Sequence, residues 1–100
     1  MSSGELNDKL YRKARAYVQS LSTLTNKERE NPPSAAMGHD YNRMRILAIE
    51  LWPAFAQTAP PAVDIREGQG GECCVQSLAE ISVFALQIEQ YLRGKRAVTL

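Results

Sequence analysis

Two adjacent cysteines, Cys73 and Cys74, are the most chemically suggestive residues in this 100-residue chain. They follow the run Gly68-Gln69-Gly70-Gly71-Glu72, and the pattern predicts that a helix begins near Glu72. Unpaired backbone amides at a helix start stabilise a thiolate and lower its pKa, which makes the pair a candidate reactive thiol with a redox or metal role. Against this, the Glu72 carboxylate disfavours a thiolate, no Cys-x-x-Cys spacing is present, and cysteine is commonly a small buried hydrophobe. A disulfide between sequence neighbours closes a strained ring, so both residues are expected as reduced thiols in a reducing compartment.

Structural zinc takes four ligands, mostly cysteine and histidine, and the chain offers two cysteines and one histidine, His39. His39 reads as a solvated residue near the start of a helix. The glycine-rich run before Cys73 has the composition of a phosphate-cradling loop, but no Lys-Ser or Lys-Thr follows it and Glu67 and Glu72 flank it, so a flexible connector is expected. The carboxylates Asp40, Glu50, Glu80 and Glu89 lack the spacing of a di-metal helical site, and no serine has an accompanying histidine pattern. No catalytic residue, metal or cofactor is expected, and the chain reads as a non-enzyme.

Lys9, Arg12, Lys13 and Arg15 crowd one stretch and offer a possible phosphate-contacting face, extended by Arg43 and Arg45 if the faces align. The charge balance opposes a nucleic-acid role. The net charge is +1, spread as +2 over residues 1–30, zero over 31–60 and −1 over 61–100, whereas a binder of this size usually has a strongly basic face. Glu5 and Asp8 dilute the cluster further.

These residues are positioned by helices. Ser2 and Glu5 have the form of a capping box, and Leu6, Leu10, Ala14, Tyr17, Val18, Leu21 and Leu24 recur at helical spacing after it. Thr25 with Glu28 caps a further short turn, which Asn31-Pro32-Pro33 ends. Ser34 or Asp40 caps the second helix, and Gly38 favours the later start; Tyr41, Met44, Leu47, Ala48, Leu51 and Trp52 form its inward stripe. Pro53 either kinks that helix or opens a separate turn from Pro53 to Gln57. Val63 and Ile65 are expected as a short extended piece, with no real sheet. A third helix is expected from about Glu72 to Leu92, with Gly94 as its stop.

That third helix carries Val75, Leu78, Ala79, Ile81, Phe84, Ala85, Leu86, Ile88, Tyr91 and Leu92, far wider than the ~100° stripe of a helix packed on one side. It must be covered from two directions. The expected fold is therefore all-α: one domain, residues 1–100, built as a compact bundle of three main helices with the third central and room for a short fourth piece after Pro53. The apolar surplus, with Ile46, Phe84, Ile88 and Tyr91 as its candidate interface residues, points to a small interaction or regulatory protein, an adaptor, inhibitor or immunity-type binder working as a homodimer. A composition of 44% hydrophobic and 23% charged residues, without a run of about 20 apolar residues, predicts neither a disordered tail nor a membrane span. The opening residues have no basic patch followed by an apolar run, so the expected location is cytoplasmic.

Overall fold

The computed structural model describes residues 2–97. Helix α1, Ser3–Ser22, starts where Ser2 predicts: its hydroxyl accepts the Glu5 amide at 3.2 Å. A single turn, α2, Asn26–Arg29, carries a complete capping box in which Thr25 and Glu28 satisfy each other's amides at 3.2 and 2.9 Å. Helix α3 spans Ala35–Leu51 and is capped by Ser34, whose hydroxyl accepts the Met37 amide at 3.2 Å. The expected later start at Asp40 is corrected here. Gly38 lies inside the helix, because it leaves room for another segment rather than because it breaks the turn. Pro53 opens a separate 3-10 turn, Pro53–Gln57, as one of the two expected readings has it.

The largest departure follows. Ile65–Gly68, β1, and Gly71–Cys74, β2, pair antiparallel as a hairpin, with Ile65 opposite Cys74 and Gly68 opposite Gly71. The glycine-rich connector is thus the turn of a small sheet, and Gly71 has the positive φ of 108° that favours glycine. The last helix, α4, spans Leu78–Ala97. Cys73 and Cys74 consequently lie on a strand and not at a helix start. Ser77 begins α4, its hydroxyl accepting the Glu80 amide at 3.3 Å, and the helix passes through Gly94 without stopping.

The result is a mostly helical molecule with a two-stranded ribbon, not a plain three-helix bundle. The first turns of α1 meet the last turns of α4, Asn7 reaching Leu92 and Asp8 reaching Arg96, and the two helices, each long enough for five turns, pack along one another. The pair is therefore antiparallel. By the same reading α3 is antiparallel to α1, through Lys13–Asp40 and Asn7–Trp52, and parallel to α4, through Tyr41–Phe84 and Trp52–Lys95.

The core is assembled from Leu10, Ala14 and Leu21 of α1, Tyr41, Met44 and Ala48 of α3, Phe55 of the 3-10 turn, and Ile81, Ile88 and Leu92 of α4. Each large aliphatic or aromatic group among them contributes roughly 1.5–3 kcal/mol by leaving water. The segment between the 3-10 turn and the hairpin is fastened to α3 by polar clamps. Asn42 exchanges two hydrogen bonds with the Val63 backbone at 2.7 and 2.9 Å, Tyr41 donates to the Pro61 carbonyl at 3.0 Å, and Arg45 donates to the Pro60 carbonyl at 2.6 Å. An irregular segment needs such partners, since its backbone has no ladder of its own. No helix among the described residues is long and apolar enough to cross a membrane.

Candidate interaction surfaces

The wide apolar arc of α4 is resolved by aromatic neighbours from elsewhere in the chain. Phe84 is half-buried with its ring centroid 6.2 Å from that of Tyr41, and Tyr91 stacks on Phe55 at 4.2 Å. Ile88 is fully buried. Three of the four residues offered as an interface therefore face the interior of the chain, and Ile46, 50% exposed on α3, is the one that faces solvent. What α4 does present outward is a different set: Val83 at 53% and Leu86 at 39% exposure, preceded by Val75 at 52% just before the helix. Ala79, Gln87 and Gln90 are exposed with them. Between Glu80 and Arg93 the single charged side chain is Glu89, which points inward at 2% exposure, so this outer face carries no charge along three turns.

The basic residues of α1 are dispersed by their partners. Lys13 turns toward α3 and pairs with Asp40 at 2.7 Å, where Tyr17 also donates its hydroxyl to the same carboxylate. The Lys13 ammonium, and then the Tyr17 hydroxyl, hold Asp40 below the usual carboxylate range. Burial, then the Asp40 charge, pushes the Tyr17 phenol well above the ordinary range. Arg12 pairs with Asp8 at 2.9 Å, one turn back on the same helix. Arg15 donates to the Tyr11 hydroxyl at 3.4 Å, and Lys9 is exposed. Arg43 is exposed on α3 within electrostatic range of Asp40, the partner of Lys13, while Arg45 is spent on the Pro60 carbonyl.

What the sequence concealed is a set of arginines from the far end of the chain. Arg96 reaches the second oxygen of Asp8 at 3.2 Å and lies 4.4 Å over the Tyr11 ring. Arg93 pairs with the buried Glu89. The other oxygen of Glu89 has no hydrogen-bond partner among the described residues. Burial pushes the Tyr11 phenol up, but the Arg93 and Arg15 guanidiniums outweigh it and hold the group below the ordinary phenol range. No spacing rule pairs residue 15 with residue 93; only the antiparallel packing of α1 on α4 brings them to one phenol.

At one end of the molecule the first turn of α1, Trp52 and the last turns of α4 enclose a cleft of about 810 Å³. The cations on its wall already have partners: Arg93 has Glu89, Arg96 has Asp8, and the Lys95 ammonium sits 4.9 Å from the Trp52 ring centroid and 5.3 Å from that of Tyr91.

The thiols have unequal surroundings. Cys73 is exposed. Cys74 is buried against Gly38 and donates to the Ser34 carbonyl at 3.5 Å; burial, reinforced by the neighbouring Cys73, raises its pKa. Glu72, two residues before Cys74 and on the same face of the strand, approaches His39 at 3.3 Å. Among the described residues no group of three or more His, Cys, Asp or Glu side chains is arranged to hold a metal ion. No family model, no curated protein and no solved structure matches the chain.

Proposed function

We propose that this chain is a small non-enzymatic interaction protein that pairs with a second copy of itself through the outer face of α4. The observation that supports this is the uncharged stripe of Ala79, Val83, Leu86, Gln87 and Gln90, which carries two of the four large exposed apolar residues among the described residues and follows on Val75, a third. Exposed apolar groups gathered on one face mark association surfaces more often than single scattered ones do.

A second copy suits the face for two reasons. In an antiparallel crossing centred between Leu86 and Gln87, Glu80 of one copy lies at the level of Arg93 of the other, and the helix dipoles oppose. A parallel crossing brings like charges level instead. The area also sets a strength: a 20-residue helix is about 30 Å long and about 10 Å wide, so the total buried surface falls below the roughly 1,200 Å² typical of stable complexes. The pairing is accordingly weak and reversible, and the regulatory consequence is that concentration sets its extent.

Light scattering across a wide concentration range tests the reading. The expected result is a mass rising from monomer toward dimer, abolished by Val83→Asp with an unchanged thermal midpoint. A mass that stays monomeric at every concentration, or a rise that Val83→Asp leaves intact, overturns it.

A further inference from the structure

The β1–β2 ribbon is held firmly at its ends and lightly between them. Asn42 clamps the Val63 backbone at 2.7 and 2.9 Å on one side, and on the other the Leu78 amide donates to the Asn31 carbonyl at 2.8 Å. Between these anchors, the polar contacts that join residues 65–74 to the rest of the described chain are those of Cys74 with Ser34 and Glu72 with His39. Ile65 and Cys74 complete the seat, lying against Gly38. Side chains alternate along a strand, so Cys74 faces α3 while Cys73, opposite Arg66 on β1, faces solvent. A disulfide brings two Cβ atoms to about 3.8 Å with the sulfurs turned toward each other. Neighbours on a paired strand turn theirs to opposite faces, and a bend that unites them breaks the register of β1 with β2 and withdraws Cys74 from Gly38. The docked ribbon and a Cys73–Cys74 bond therefore exclude each other.

We propose that Cys73 and Cys74 form a redox latch, in which a small disulfide such as oxidised glutathione converts the pair to a vicinal disulfide and releases the ribbon from α3. In the first step the exposed Cys73 gives up its proton to solvent and its thiolate attacks one sulfur of the small disulfide. The Cys73–glutathione bond forms, the glutathione S–S bond breaks, and the departing thiolate takes a proton. Cys74 stays out of this step, since it is buried and its pKa is raised by that burial first. In the second step the ribbon opens, Cys74 loses its proton, and its thiolate attacks the Cys73 sulfur and expels the second glutathione. Two protein thiols are oxidised and one small disulfide is reduced to two thiols. Ring strain leaves the product easily reduced, so an excess of reduced glutathione runs both steps backwards and the ribbon docks again. The anchors at Val63 and Leu78 confine the opening to the ribbon. The latch does not rest on pairing through the outer face of α4.

The test is incubation of the full chain with oxidised glutathione, read by intact mass under denaturing conditions and by amide hydrogen exchange in NMR. The expected product is a single chain lighter by two hydrogens. Its Val75 amide, which donates to the Asp64 carbonyl at 2.9 Å in the docked ribbon, is expected to lose exchange protection while the amides of α1 and α4 keep theirs. Excess reduced glutathione restores both mass and protection. Cys73→Ala, a change at an exposed position, is expected to take up no glutathione in the same time and to keep the Val75 amide protected. Cys74→Ala stops at the mixed disulfide, heavier by one glutathionyl group. A wild-type product that halts at the mixed disulfide, a disulfide between two chains in place of the vicinal one, or a vicinal disulfide formed with Val75 still protected overturns the latch.

Discussion

Trp52 is tied to α1 by Asn7: the indole N–H donates to the Asn7 side-chain oxygen at 2.8 Å, and the Asn7 amide in turn donates to the Leu92 carbonyl at 3.2 Å. One buried amide therefore joins three helices. Replacing Asn7 by leucine leaves the indole donor without its partner, a loss of roughly 1–3 kcal/mol. The measurement is urea unfolding followed by the emission of Trp52, the single tryptophan, with a lower midpoint and an unchanged slope as the expected outcome.

Ile88 and Val83 separate the core from the outer face of α4. Ile88→Ala empties a fully buried site and is expected to cost about 2–5 kcal/mol, whereas Val83→Ala, half-exposed, changes stability by less than about 0.5 kcal/mol. Chemical denaturation at low protein concentration distinguishes them. Equal losses at the two positions would mean that the outer face is packed in the monomer.

Gly38 is required by the hairpin. A Cβ added there would lie 2.5 Å from the Cys74 sulfur and 3.3 Å from the end of the Ile65 side chain. In an open helix glycine to alanine stabilises by about 1 kcal/mol. Here Gly38→Ala is expected to push β1 and β2 off α3 and to speed the reaction of Cys74 with a thiol reagent. Adding Ile65→Ala and Cys74→Ala together should return the stability that the single change removes, because the collision disappears. If Gly38→Ala alone raises the thermal midpoint, the close approach is not a constraint.

Part of this architecture is legible in local chemistry. Helix starts at Ser2 and Thr25, and the turn at Pro53, follow from local chemistry: a hydroxyl three residues ahead of a carboxylate, or a proline whose missing N–H costs nothing. The hairpin does not, because Arg66-Glu67-Gly68-Gln69-Gly70-Gly71-Glu72 has no β-branched residue and no alternation, and what seats it is tertiary: Ile65 and Cys74 against Gly38, Cys74 on the Ser34 carbonyl and Glu72 beside His39. Without the hairpin, Cys73 and Cys74 read as the start of a helix and Gly38 as a breaker. The surplus of apolar residues on α4 was visible, but its consumption by Tyr41 and Phe55 depends on where distant segments fold back. Likewise Arg12 and Arg15 were readable as basic, while their companions Arg93 and Arg96 were not.

Asp40 gives stability an acid limb. Its folded pKa is depressed, by Lys13 first and then Tyr17, so the favourable contribution is present above the ordinary value of 3.8 and is lost as pH falls below that value through the folded pKa. Stability measured from pH 5 downward is expected to drop, and Asp40→Asn to flatten part of that drop while lowering stability at neutral pH. An unaltered acid slope in the variant would remove Asp40 as its source. The carboxylate is 43% exposed, so salt screens the effect.

The two thiols should react at different rates. Exposed Cys73 is expected to label quickly in the folded protein, and Cys74 only as fast as the hairpin opens. Mass spectrometry after a short pulse of alkylating reagent reads the two positions separately. Faster labelling of Cys74 would show that the strand does not shield it.

The antiparallel contact between α1 and α4 sets the order of events during synthesis. Asn7 meets Leu92, 85 positions later, and Asp8 meets Arg96, so the apolar stripe of α1 has only its α3 neighbours until α4 has been made. Leu10, Ala14 and Leu21 therefore emerge from the ribosome long before the surface of α4 that completes their cover, and the loop that must close spans 85 positions. Until then those side chains are partly open to whatever holds nascent polypeptides, and completion of the core waits on the arrival of α4.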